Sequence, residues 1–198
     1  MAYTLLLDAY ANQRVAVLKN DKILVEQTSN LAHSDTFMEL IHNTLMQAKI
    51  EIKDVNYIAL NVGPGSFTGI RVALSIAKGF AFNSNIKFIV YSSFDLLDAK
   101  RNEISLINGF SNFVYVKADK MDCVSFESLN PNLNYVTNSS TVVEKGMKFG
   151  LNIRLCNEKS IERICKTNSN KLFNINEVEP LYLRKSQAEI QKEQKIGR

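Results

Sequence analysis

The stretch Asn61-Val62-Gly63-Pro64-Gly65-Ser66-Phe67-Thr68-Gly69-Ile70-Arg71 decides how this chain is interpreted. The apolar run over residues 55–62 predicts a buried strand before it, and helical spacing predicts a helix over residues 67–82 after it. Glycines in such a turn permit positive φ and a close approach of the backbone. Because the N–H groups at the start of a helix attract anions, a phosphate site is one interpretation of this turn.

The spacing of the glycines does not match the common phosphate-binding loops. A dinucleotide-binding turn has the pattern G-x-G-x-x-G, but here the third glycine, Gly69, comes one residue late. A P-loop requires Lys after its last glycine, where this chain has Ile70, and Pro64 removes one N–H donor. The pattern therefore favours the other interpretation, a rigid turn that docks a helix against a sheet.

The elements on either side of this turn predict an α/β fold with a mixed sheet flanked by helices. Short strands are expected at Tyr3–Asp8 and at residues 14–18, 23–26 and 88–91, and apolar spacing predicts a helix after His33. The second half is less regular. It predicts strands over residues 103–107, 113–118 and 123–126, a helix over 142–149 and a last strand over 151–155.

Length and composition predict a compact protein without a disulfide framework. The chain has 198 residues, 45% of them hydrophobic, which fits one domain or two small lobes. Its cysteines, Cys123, Cys156 and Cys165, are odd in number and widely spaced. The first apolar run is too short for a signal peptide or a membrane span, so we expect a cytoplasmic protein.

The formal charge of +4 is concentrated at one end of the chain. Between Arg184 and Arg198 five basic residues stand against two acidic ones, a net charge of +3. Such a tail can contact phosphate, although a solvated chain end is the simpler interpretation.

The helix over residues 67–82 is more apolar than a helix with a single buried face. At about 100° per residue, Arg71, Ser75 and Lys78 form a narrow polar arc, while apolar residues cover most of the rest. Gly69, Ala73, Ala77 and Ala81 recur every four residues and predict a smooth ridge for close helix packing. Either a partner protein or the second lobe of the chain must cover the additional apolar surface.

The earlier helix shows a comparable second stripe. Met38, His42 and Met46 lie away from its core face, and Met is common at adaptable binding surfaces. We therefore predict a helical partner interface, here called the interface set, consisting of Met38, His42, Met46, Gly69, Val72, Ala73, Ile76, Ala77 and Phe80.

The same residues carry a resemblance to a known family. The run from Gly63 to Arg71, followed by Ala77-Lys78-Gly79, resembles the signature loop and helix of the TsaB (YeaZ) family. His33-Ser34 and Pro180-Leu181-Tyr182-Leu183-Arg184 are similar to two further family segments, whereas residues 102–178 match poorly. We call the following residues the signature loop: Gly63, Pro64, Gly65, Ser66, Thr68, Gly69 and Arg71.

The resemblance implies an actin-like, ribonuclease-H-type fold in two lobes. It suggests a first lobe over residues 1–100 with the partner-binding helices, a shortened second lobe over 101–179 and a basic tail over 180–198 that packs back on the first lobe. It also implies a non-catalytic role in making N6-threonylcarbamoyladenosine in tRNA, beside a TsaD-type transferase and a TsaE-type ATPase. ATP and a metal ion are then expected at the partner subunits, and tRNA is contacted indirectly or through the tail. A homodimer of the chain alone, with the same helices pairing by two-fold symmetry, is an open alternative to the partner complex.

The sequence offers few candidates for catalysis. Its two histidines, His33 and His42, are nine residues apart and, at about 100° per residue, point to opposite sides of a helix, so they predict no shared metal ion. Asp8 ends the first strand, where nucleotide-using members of the fold place a carboxylate, and it is the one candidate for a nucleotide or ion. However, the Gly and the hydroxyl residue that should follow it are replaced by Ala9 and Tyr10.

Ser66 and Thr68 have no recognisable base nearby in the sequence, and turn stabilisation is their expected role. The alternative to a binding subunit is an actin-like enzyme, a nucleotide hydrolase or phosphotransferase, that acts as a homodimer.

Overall fold

The computed structural model describes residues 2–30 and 34–183, except for the side chains of residues 34 and 35. It divides into two compact units. The first lobe consists of Met1–Leu96 and Glu158–Leu181, and the second lobe is built around Leu97–Asn157. Residues 158–179, which the sequence-based division assigns to the second lobe, thus lie in the first. His33 and the tail from Arg184 lie outside the described residues.

The first lobe is built on a mixed sheet. Its strands are β1 (Tyr3–Asp8), β2 (Gln13–Lys19), β3 (Lys22–Ser29), β4 (Tyr57–Asn61) and β5 (Lys87–Tyr91). β1, β2 and β3 form an antiparallel meander, while β4 and β5 run parallel to β1 on its other side. The spatial order is therefore β3-β2-β1-β4-β5, and the predicted opening meander is confirmed.

Helices cover both faces of this sheet. α1 (Ser34–Ala48) and α2 (Phe67–Ala81) share one apolar core with the sheet face that carries Leu5, Leu7 and Leu60. Both helices agree closely with the sequence patterns, and the strand predicted over residues 55–62 appears as β4 after a short helical turn. Each helix has 15 residues.

The second lobe repeats the strand order of the first. Its elements are β6 (Glu103–Asn108), β7 (Phe113–Lys117), β8 (Met121–Ser125), β9 (Asn134–Thr137), α3 (Ser140–Met147) and β10 (Asn152–Leu155). The order β8-β7-β6-β9-β10, with an antiparallel meander and two parallel neighbours, matches β3-β2-β1-β4-β5. Two such halves confirm the predicted actin-like, ribonuclease-H-like fold.

The chain then returns to the first lobe. α4 (Ile161–Asn168) packs Ile161, Ile164 and Cys165 on the sheet face opposite α1 and α2, and β11 (Leu172–Phe173) pairs antiparallel with β5. The prediction that residues 151–155 form the last strand is therefore wrong. α4 was missed because it is short and mostly polar, although its apolar residues at i, i+3 and i+4 and the capping Ser160 were visible signals.

None of the helices in the described part of the chain has the length and the unbroken apolar sequence that crossing a bilayer requires.

Candidate functional site: the glycine loop and the outer faces of two helices

The signature loop is clamped against the end of β1. A Cβ atom added to Gly65 would lie 2.4 Å from the carbonyl oxygen of Tyr10, and one added to Gly69 would lie 2.2 Å from that of Ala9. Both contacts are with backbone atoms, which cannot move aside as a side chain would. The glycines are therefore required for close packing of the backbone.

Three N–H groups of this turn already have partners within the chain. Ser66 N donates to the carbonyl oxygen of Tyr10 at 2.7 Å, and Gly69 N donates to Ser66 Oγ at 3.2 Å. Gly63 N donates to Asn61 Oδ1 at 2.9 Å. Since carbonyl oxygens face this turn, the residues present do not fit a nucleotide phosphate. The structure supports the rigid-turn interpretation, in which Ser66 caps α2.

The turn itself has an unusual backbone. The peptide bond between Gly63 and Pro64 is cis, and Gly63 has a φ of +102°, a conformation that only glycine adopts readily. Gly63 and Pro64 are buried, while Thr68 and Arg71 are exposed on the first turns of α2. The Arg71 guanidinium lies over the ring of Phe67, 5.1 Å from its centroid.

Asp8 is 2% exposed and lies behind this loop. Its carboxylate accepts hydrogen bonds from Tyr10 N at 3.1 Å, Asn61 Nδ2 at 3.0 Å and Tyr91 Oη at 2.7 Å. Burial raises the pKa of Asp8 above its ordinary value, although the three hydrogen bonds oppose that shift. Because donor hydrogens surround both oxygens, the geometry does not favour Asp8 as a ligand of a cation.

Among the residues that the structure describes, no group of three or more His, Cys, Asp or Glu side chains is arranged to hold a metal ion. Burial raises the pKa of the Cys165 thiol to about 12, so this cysteine is not a nucleophile at neutral pH.

Sequence reasoning missed the partners of Asp8. Asn61 ends β4 and Tyr91 ends β5, the two strands parallel to β1, and Ser93 follows β5. The carboxyl ends of parallel strands meet at one edge of a sheet, so polar residues at these ends were a usable signal. The strand predicted over residues 55–62 was interpreted only for its apolar run, so the hydrogen-bonding role of Asn61 was missed.

The outer face of α1 carries the predicted methionine stripe. Met38 is 45% exposed, Met46 is 64% exposed, and His42 is exposed between them. The opposite side of the helix is buried through Phe37, Ile41 and Thr44. The position of the stripe on an accessible surface is thus as expected, and its binding of a partner stays a prediction.

α2 requires a correction to the interface set. Ala73 and Ala77 are both 0% exposed and belong to the core of the first lobe, so the prediction that they face a partner is wrong. The small side chains let α2 lie close to its own sheet rather than to another helix. Gly69, Val72, Ile76 and Phe80 are half-buried on one flank of the helix, where three of them, Val72, Ile76 and Phe80, also pack against that core.

The two helices differ in charge. α1 contains the acidic residues Asp35 and Glu39 and no Lys or Arg. α2 contains Arg71 and Lys78 and no acidic residue. The two helices therefore contribute opposite charges to the first lobe, and such a difference can orient a bound protein.

The comparisons with known proteins concern the same region. Residues 23–108 match the family model "TsaD: tRNA N6-adenosine threonylcarbamoyltransferase". The tRNA threonylcarbamoyladenosine biosynthesis protein TsaB of Buchnera aphidicola subsp. Schizaphis graminum is 36% identical over 88 residues, which cover 43% of this chain and 41% of the relative. TsaB of Bacillus subtilis is 31% identical over 87 residues, 43% of this chain and 38% of the relative.

A solved structure extends the similarity of the fold to both lobes. YeaZ from Pseudomonas aeruginosa superposes with a TM-score of 0.71 at 17% identity, covering 92% of this chain and 100% of that chain. Over part of its length the chain is similar in sequence to TsaB proteins, and it shares the YeaZ fold. The matched region contains less than half of the length of these TsaB relatives. Because the superposed structure has a low sequence identity, it supports a shared fold and nothing more.

The matches explain why the TsaB resemblance is uneven. The family model begins in β3 and ends with β6, so it contains α1, the signature loop and α2. The rest of the second lobe lies beyond the family model, whereas residues 102–108 of the poorly matching segment 102–178 lie within it.

Proposed function

We propose that this chain is a non-catalytic subunit that supports tRNA N6-threonylcarbamoyladenosine formation by binding a TsaD-type transferase. The observation that carries the proposal is the accessible methionine stripe on α1, which lies within the part of the chain that the family model matches. Met side chains adapt to a partner surface, and the stripe has no core role because Phe37 and Ile41 fill the core side of α1.

The proposed interface differs from the interface set. Its centre is Met38, His42 and Met46, and its second part is the flank of α2 formed by Val72, Ile76 and Phe80. Arg71 and Lys78 give this flank a basic border. The buried Ala73 and Ala77 contribute by setting the distance between α2 and the sheet.

We assign the chemistry to a partner, in keeping with the finding that no His, Cys, Asp and Glu side chains in the described residues are grouped to hold a metal ion. In this proposal ATP and a metal ion are held by the transferase and by a TsaE-type ATPase, and the whole assembly works in the cytoplasm. Transfer RNA is contacted mainly by the transferase. The basic tail from Arg184 adds an electrostatic contribution, so removal of residues 186–198 should lower the salt dependence of tRNA binding.

Reconstitution tests this function. The chain should co-elute with a TsaD-type transferase on size exclusion with light scattering, at a mass that includes its own 22.4 kDa. Transfer RNA modification should then depend on the chain. A complex that modifies tRNA equally well without the chain would contradict the proposal. Self-association that excludes the transferase, together with nucleotide hydrolysis by the chain alone, would favour the homodimeric enzyme.

A further inference from the structure

Asn61 is a buried amide placed between two groups of opposite hydrogen-bonding character. On one side is the Asp8 carboxylate, which accepts from Asn61 Nδ2 at 3.0 Å. On the other side are Gly63 N at 2.9 Å and Ser93 Oγ at 3.1 Å, which both donate to Asn61 Oδ1. A carboxylate only accepts and a backbone N–H only donates, so one orientation of this amide satisfies both sides.

Asp8 also reaches the loop by a second path through the backbone. It accepts from Tyr10 N at 3.1 Å, and the carbonyl oxygen of Tyr10 accepts from Ser66 N at 2.7 Å. The first path, from Asp8 through Asn61 to Gly63, also includes Ser93, whose N–H donates to the carbonyl oxygen of Gly63 at 2.8 Å. Both ends of the turn, Gly63 and the helix-capping Ser66, are therefore connected to a single carboxylate.

We propose that Asp8 is a positioning residue that fixes the orientation of the Asn61 amide and thereby the conformation of the turn at the start of α2. The inference deepens the proposed function and rests on it, because the helix that is positioned carries part of the partner-binding surface. In this arrangement the polarity of Asp8 matters as well as its size, since a donor at this position would face the Nδ2 group of Asn61.

The test reverses the polarity of the pair. Asp8→Asn places a donor against Asn61 Nδ2 in one orientation of the new amide and against Tyr10 N in the other, so it breaks one of the two paths in either case. Asn61→Asp places two carboxylates together. The double variant Asp8→Asn/Asn61→Asp restores one donor facing one acceptor and returns an acceptor to Gly63 N. Hydrogen exchange of the Gly63 and Ser66 amides, measured by NMR and compared with amides in β4, reports the conformation of the turn separately from global stability.

We expect each single variant to raise the exchange rates at Gly63 and Ser66 relative to β4 by roughly tenfold or more, as for a lost buried hydrogen bond. The double variant should return them to within about threefold of the wild type, since only the pairing is restored. Tyr91→Phe is the matched control, because it removes a donor to Asp8 without disturbing Asn61. It should leave the relative rates at the turn unchanged.

Affinity for a TsaD-type transferase should follow the exchange rates, falling in the single variants and recovering in the double variant. A turn as protected in Asp8→Asn as in the wild type would overturn the inference, as would a double variant no better than the single ones. If Asp8→Asn does not fold, the double variant decides, with a folded and protected turn as support and an unfolded chain as contradiction. A wild-type chain that binds no transferase would refute the proposed function alone, because the exchange rates still test Asp8.

Discussion

The two lobes of this molecule share one strand order but differ in what surrounds the sheet. In the first lobe β4 leads through the signature loop into the 15-residue α2, and a second helix of that length precedes it. In the second lobe β9 leads directly into the eight-residue α3. Since the topology is common to both, the fold itself does not create the binding surface. The proposed surface depends instead on the glycine loop and the two long helices, which among the described residues belong to the first lobe alone.

The lobes also use their carboxylates in opposite ways. Asp8 is buried in a network of neutral donors, whereas Glu103 at the start of β6 forms an ion pair with Arg154 of β10. Arg154 Nε donates to Glu103 Oε1 at 2.7 Å and Nη2 donates to Oε2 at 2.6 Å. The first arrangement orients a loop, and the second joins β6 to β10 across the intervening strand β9.

The largest expected effect is at Ala77 in the core of the first lobe. Ala77→Arg should lower the free energy of unfolding by more than about 4 kcal/mol, because it buries a charge without a partner. Ser75→Arg, on the exposed side of the same helix, should change it by less than about 0.5 kcal/mol. Denaturant titration measures both variants. A stable Ala77→Arg protein would mean that the small ridge faces outward after all.

Gly→Ala substitutions at three positions in the two lobes should differ in their effect on the free energy of unfolding. Gly69→Ala should cost about 1–3 kcal/mol, because its Cβ would lie 2.2 Å from a backbone oxygen. Gly146→Ala in α3 should cost less, because the nearest atom is the movable end of the Ile153 side chain. The Cβ atom that Gly79→Ala adds in α2 meets nothing within 4 Å. This substitution should therefore raise the free energy of unfolding by about 0.5–1 kcal/mol. Thermal unfolding of the three variants checks the order, and equal effects would remove the distinction between backbone and side-chain packing.

Acid stability should separate the two carboxylates by the sign of their pH dependence. The ion pair with Arg154 lowers the pKa of Glu103 to about 2, so its stabilisation is present above its ordinary pKa of 4.5 and is lost as the pH falls toward 2. Burial raises the pKa of Asp8, so its contribution favours folding below its ordinary pKa of 3.8 and declines as the pH rises through the higher folded value.

Unfolding of Glu103→Gln and Asp8→Asn across this pH range tests the difference. The free-energy gap between wild type and variant should grow with pH for Glu103 and shrink with pH for Asp8. Slopes of the same sign would show that the two sites do not differ as described.

Periodicity predicted most of this architecture, because long amphipathic helices and regular strands carry strong signals. α1, α2, the opening meander and the strands β6 to β8 follow from it. β9 and α4 were missed because short, partly polar elements gain their stability from tertiary packing, as Ile161 and Ile164 do on the first sheet.

The candidate site was less accessible to prediction, because it depends on which side of a helix meets the sheet. A ridge such as Ala73 and Ala77 permits close packing in either direction, and only the placement of α2 on its sheet decides between them. The Asp8 cluster depends on three strand ends meeting, which requires the sheet order as well as the sequence.

The most direct test of the partner surface compares two methionines of similar exposure on the two lobes. Met46 on α1 is 64% exposed and Met147 on α3 is 68% exposed, and both lie near the end of a helix. Calorimetric titration of a TsaD-type transferase should show binding at least about tenfold weaker for Met46→Arg, because a charge is desolvated at the contact, and unchanged for Met147→Arg. Equal affinities for the wild type and Met46→Arg, or an equal loss at Met147→Arg, would contradict a binding surface on the first lobe.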